Sequence, residues 1–229
     1  MTRTTTPISR SGTWAERAYE AGNAVLLALQ LQGLMVLGTL AGGVLFGLAP
    51  SLTAAAALAR ADRRGDLVRP WRDFWPTWRA DLVPATRAAA PLAGLALIAA
   101  ANLTFAAPLG LGWAIASIAA ALAIATAVAW FPALYAHYAM PWPRYTLLAL
   151  ALVARKPLAS IILLFLSAGL AFLATWSPAI AVFVAAGAWV LVGSRVALSA
   201  FDENEERLAD GPEVPDLVAT LPSRPLDLS

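Results

Sequence analysis

The chain has 229 residues but no cysteine, one histidine and one lysine. Without cysteine there is no disulfide, no thiolate metal ligand and no thiol nucleophile. With His137 as the single imidazole, no cluster of His and Cys ligands can form, and any Ser–His pair must use that residue. The patterns GxSxG, HExxH and GxxxxGK[ST] are absent. Neither a catalytic centre, a cofactor site nor a metal site is therefore expected, and the chain reads as no enzyme. Charge is scarce too. Asp, Glu, Lys and Arg make up 13% of the residues, where a soluble domain carries roughly twice as much.

Apolar residues fill the gap, at 60% of the chain and a mean hydropathy of +0.69. They lie in long runs, and the expected fold class is all-α: a polytopic helical transmembrane bundle embedded in the lipid bilayer. The run that begins at Ala24 reaches Leu48, too long for a signal-peptide core of roughly 7–15 residues. The net charge of +2 hides an asymmetry: residues 1–200 carry a net +8, and residues 201–229 a net −6. The arginines flank apolar runs, where membrane orientation explains them, so no nucleic-acid partner follows from the basic balance.

The chain divides into a polar, disordered N-terminus (1–13), a membrane domain (14–200) and an acidic, largely disordered tail (201–229). Residues from Trp14 read as an amphipathic lead-in at the interface. Spans are expected at about 22–41, 43–60, 88–107, 113–138, 157–176 and 178–199. Ser177 and Pro178 suit the cap and first turn of the last one. The 24–59 block crosses twice in this reading, because two crossings put every Lys and Arg on the side of both termini, the cytoplasm. Six spans result; one crossing of that block gives five. All fourteen carboxylates fall outside the expected spans. The setting is the inner (plasma) membrane, multi-pass.

Residues 60–87 form a basic, Trp-rich cytoplasmic loop between apolar runs. Leu67, Trp71, Phe74, Trp75, Trp78 and Leu82 make a helical stripe, with Arg72, Asp73, Arg79 and Asp81 off it. Pro76 lacks a backbone donor, which predicts two short helical pieces meeting there. Trp71, Arg72, Asp73, Phe74, Trp75, Trp78 and Arg79 are the candidate contact residues, for lipid headgroups or for a cytoplasmic partner. Four uncharged polar residues at membrane depth, Gln30, Asn102, Thr104 and His137, are candidates for a solute path; such groups also serve as hydrogen bonds between helices. His137 doubles as an interfacial residue in an aromatic belt.

In chain order, Asn23, the turn with Gly47, Pro50 and Ala54, the Arg60-to-Gly65 loop, and Arg72-Asp73-Phe74-Trp75 followed by Trp78-Arg79 resemble the YesL-like family of bacterial integral membrane proteins (domain of unknown function 624). The likeness extends over residues 12–200 and leaves the acidic tail outside. Asp81 stands where the family often has Asn. The resemblance implies a bacterial membrane protein of no established activity, often encoded near carbohydrate-uptake transporters and glycan-degrading enzymes. It carries the expectation of a non-enzymatic protein accessory to, or part of, a carbohydrate transport system. Partners are then carbohydrate transporter subunits, with homo-oligomerisation left open. The alternatives are a self-sufficient small-solute permease and, remotely, a membrane enzyme using His137.

Overall fold

Apolar runs in this chain have no alternation of period two, and among the described residues they fold into helices and no strand. The structure is a computed structural model that describes residues 14–105, 110–177 and 186–210, with residues 15–17, 20 and 202–210 described by backbone alone. The helices are α1 (Trp14–Ala41), α2 (Leu48–Arg63), α3 (Pro70–Phe105), α4 (Leu111–His137), α5 (Trp142–Arg155), α6 (Pro157–Trp176) and α7 (Ala186–Asp210). Four stretches among them are long and apolar enough to cross a membrane: Ala21–Ala41 and the helices α3, α4 and α6. Ala186–Phe201 is a shorter apolar stretch. Large apolar side chains stand exposed on their outer faces, including Leu97, Ile98, Ile115, Phe165 and Phe172. A water-facing surface would not carry so many; hydrocarbon accepts them. The chain is a helical membrane bundle. Ser177, expected to cap the last span, closes α6, its N–H donating to Leu173 O; the N-terminus 1–13, residues 106–109, Pro178 with the rest of 178–185, and the tail 211–229 lie outside the described residues.

A glycine turn joins α1 to α2. The Gly42 N–H donates to Gly38 O and the Val44 N–H to Thr39 O, at 3.0 and 2.8 Å. Gly43 and Val44 take left-handed φ values of 68° and 57°, easy for glycine and strained for a β-branched residue. A Cβ on Gly47 would lie 2.5 Å from Thr39 O, so the chain can close the turn only with glycine there. α2 is then enclosed: Pro50, Ser51 and every residue from Thr53 to Ala61 are buried. Its run of small side chains lets α1, α3, α4 and α7 approach closely.

The expected loop at 60–87 is not a loop. α2 continues to Arg63, and α3 starts at Pro70 and runs unbroken for 36 residues, past Pro76, Pro84 and Pro91. The two-piece expectation fails because of where the prolines lie. Pro76 and Pro84 are exposed, and the carbonyls the three prolines leave without a donor belong to the exposed residues Arg72, Ala80 and Arg87. The missing bonds face away from the packed side, so the helix keeps its buried stripe. That stripe is Phe74, Trp78, Asp81, Ala85, Ala88 and Leu92, a 4-3-4-3-4 pattern that includes Asp81 and leaves Trp71 out. Leu67, expected on it, is exposed.

Three further expectations change. Residues 142–155 form a helix of their own, α5, which the apolar-run reading passes over. The last helix extends beyond 199 to Asp210. The turn at 42–47 and residue 87 were assigned to opposite sides of the bilayer, but Thr86 Oγ1 lies 3.1 Å from Phe46 O. The hairpin tip and the end of the basic segment thus lie side by side, because the first half of α3 packs against the hairpin.

Candidate functional site

The first turn of α3 is built by its own residues. Pro70 opens it, and the Arg69 and Asp73 N–H groups supply the local bonds: Arg69 N donates to Asp73 Oδ2 at 2.7 Å, and Asp73 N to Arg69 O at 2.9 Å. One helical turn on, Phe74 and Trp78 go inward against α1 and α2. Trp75 stacks edge-on with both, at ring separations of 5.5 and 5.8 Å. Trp78 Nε1 donates to Ser51 Oγ at 3.1 Å. Gly38 makes this possible, since a Cβ there would sit 2.6 Å from Ser51 Oγ and 2.9 Å from Trp78 Nε1. The same device recurs twice: Trp130 Nε1 donates to Ser160 Oγ and Trp189 Nε1 to Ser167 Oγ. In an apolar interior an indole N–H needs an acceptor, and a serine on the next helix supplies one without adding bulk.

The seven contact candidates are therefore divided by the helix. Phe74 and Trp78 are core, Asp73 and Trp75 are half-buried, and Trp71, Arg72 and Arg79 face outward. The four solute-path candidates do not converge. Gln30 and Thr104 are exposed on α1 and α3; Thr104 Oγ1 donates to Ala101 O in its own helix. Asn102 Nδ2 donates to Ser117 Oγ at 2.8 Å, a bond between α3 and α4. His137 is buried at the end of α4, its ring 4.4 Å from that of Tyr138 and 5.1 Å from Phe201.

What sequence reading missed is a pair of buried charges around the same helix end. Arg60, 5% exposed, donates from Nη1 to Ala136 O at 2.7 Å. Asp81, also 5% exposed, accepts from the Tyr135 hydroxyl at 3.2 Å. Tyr135 and Ala136 are neighbours, so a guanidinium from α2 and a carboxylate from α3 meet the last turn of α4. Arg60 complements the carbonyl end of that helix dipole. Charges so far from water are costly unless partnered, and in a membrane domain they mark function or a specific lock. The signal was available for Asp81: it falls on the 74-78-85-88-92 face. Nothing local marks Arg60, whose carbonyl partner lies 76 residues away on α4. Tyr135 also packs on Tyr145 of α5, at 5.1 Å between ring centres, and Phe131 stacks on both.

Two cavities flank this junction. One of about 820 Å3 lies between α1, α2 and α7, beside Asn23, Asp62, Arg63, Arg195 and Ser199. Arg63 Nη1 donates to Arg195 O at 2.8 Å, and Arg195 stands 3.8 Å from Asp62. The other, about 410 Å3, lies between α3, α4 and α5. Neither is lined by Gln30, Asn102, Thr104 or His137. Among the described residues, no group of three or more His, Asp or Glu is placed to hold a metal ion.

The pattern of the family described as "Protein of unknown function, DUF624" matches residues 28–103, from α1 through the hairpin to the end of α3. The uncharacterized protein YesV of Bacillus subtilis (strain 168) is 34% identical over 152 residues, covering 64% of this chain and 73% of that protein. No solved structure matches.

Proposed function

We propose that this chain, which belongs to the DUF624 family, is a non-enzymatic multi-pass protein of the bacterial plasma membrane that acts as an accessory component of a carbohydrate transport system. The observation that carries the accessory role is the division of α3. Phe74 and Trp78 clamp the helix to α1 and α2, which leaves Trp71, Arg72 and Arg79 as a rigid outward set. An aromatic beside two guanidinium groups on a preformed helix is a good contact element for a partner with acidic groups. The carbohydrate class rests on the family resemblance alone. The non-enzymatic reading rests on composition, since one histidine and no cysteine leave little to build a nucleophile from. A self-sufficient permease has less support, because two of its four path residues face outward and a third bonds a neighbouring helix.

Co-purification tests the proposal. The full chain, taken from native membranes in mild detergent, should retain subunits of a sugar transporter. Arg72→Ala with Arg79→Ala should release them while the thermal midpoint stays unchanged. Retention by the double variant, or solute uptake by the chain alone in liposomes, counts against it.

A further inference from the structure

α4 and α6 are both long and apolar enough to cross a bilayer. They also touch at their linked ends, where Trp130 bonds Ser160. The segment between them, 138–156, therefore lies at one membrane boundary. Its helix, α5, has 14 residues and is about 21 Å long, too short to span. Arg144, Arg155 and Lys156 on this segment mark the boundary as the cytoplasmic one, where the leaflet is rich in anionic lipid.

The 410 Å3 cavity opens at that level, between α3, α4 and α5. Val83, Met140, Tyr135, Trp142 and Tyr145 give it apolar and aromatic walls, and Arg87 is the charged residue of its lining. The Arg87 guanidinium carbon sits 5.4 Å from the centre of the Trp142 ring, a cation–π contact that holds the cation at the cavity wall. Both phenols are committed elsewhere: Tyr135 donates to Asp81, and Tyr145 to Tyr138 O at 2.7 Å. What the walls offer a ligand is thus one guanidinium beside apolar surface. A polyhydroxy solute would find few partners there, and a free phosphate would gain nothing from the rings.

We propose that this cavity seats one anionic phospholipid, its phosphodiester on Arg87 and its glycerol and first methylenes against Trp142, Tyr135 and Tyr145. The phosphate chemistry is shared with soluble anions; the apolar walls and the depth select the lipid. Native mass spectrometry of the delipidated full chain in detergent tests this with phosphatidylglycerol, phosphatidylcholine and inorganic phosphate as probes. Phosphatidylglycerol should be retained about fivefold more tightly than phosphatidylcholine, the effect of roughly one well-placed cation. Arg87→Gln should remove the preference, and Arg144→Gln, on an exposed residue outside the cavity, should keep it. If Arg87→Gln fails to fold, Arg87→Lys should fold and retain most of the preference, because the charge remains. Equal retention of the two lipids, an undiminished preference in Arg87→Gln or a lost one in Arg87→Lys, or displacement of lipid by excess inorganic phosphate would each overturn the assignment.

Discussion

The two halves of α3 share one backbone and differ in nearly everything else. Residues 70–87 carry Arg72, Asp73, Arg79, Asp81 and Arg87 and pack on the α1–α2 hairpin and, through Asp81, on the end of α4; residues 88–105 carry no charge and pack on α4. A helix of 36 residues is about 54 Å long, well beyond the roughly 30 Å of a hydrocarbon core. One half must therefore meet a different medium from the other. The comparison teaches that charge along a helix reports depth, while burial reports packing, and the two need not coincide: Asp81 lies in the charged half and is nonetheless enclosed.

The largest expected effect tests the packing of the first half. Phe74→Ala empties a site that is 0% exposed, and should lower stability by about 3–5 kcal/mol. Thermal or denaturant unfolding in detergent measures it, and a loss below 1 kcal/mol would mean the first half is only loosely seated. Next comes a charge scan of exposed positions. Leu97→Arg, in the second half, should cost about 2.5–3.5 kcal/mol of membrane insertion if it is at mid-membrane. Val83→Arg, as exposed but in the first half, should insert almost normally; equal penalties would erase the proposed difference in depth. Smaller again is Tyr135→Phe, which deletes the hydroxyl bound to Asp81 and should cost about 1 kcal/mol or somewhat more. The same measurement on Asp81→Asn, which keeps an acceptor, should lose less than Asp81→Ala. Least of all is Leu97→Ala, whose exposed side chain should change stability by no more than about 0.5 kcal/mol.

Much of the architecture was legible in the residues. α6 covers the stretch read as the fifth span, and α4 that read as the fourth, because each is a long apolar run with its punctuation at the ends. Gly42, Gly43 and Gly47 marked the turn between α1 and α2, but α2, at 16 residues, is not among the stretches long enough to be the expected second crossing. Residues 60–87 were misread because charge and proline outweighed periodicity, although the 4-3-4 stripe from Phe74 to Leu92 was present throughout. α5 was passed over for its shortness, despite Pro143 in its first turn and Tyr145, Leu148, Ala149 and Leu152 on one buried face. Of the candidate residues, Trp71, Arg72 and Arg79 were reachable as a surface set, but the solute-path residues were chosen for polarity alone. Polarity at membrane depth is also what helix pairing needs, as Asn102 with Ser117 illustrates.

By itself the sequence determined that this chain dissolves in a bilayer as helices, since transfer into hydrocarbon is a property of each run taken alone. The direction of each side chain was left to the tertiary structure. Arg60 finds its partner only because α4 brings Ala136 O to the end of α2, and Ser51 accepts from Trp78 only because Gly38 lets three helices touch. Such contacts depend on residues distant in the chain, and no local pattern encodes them.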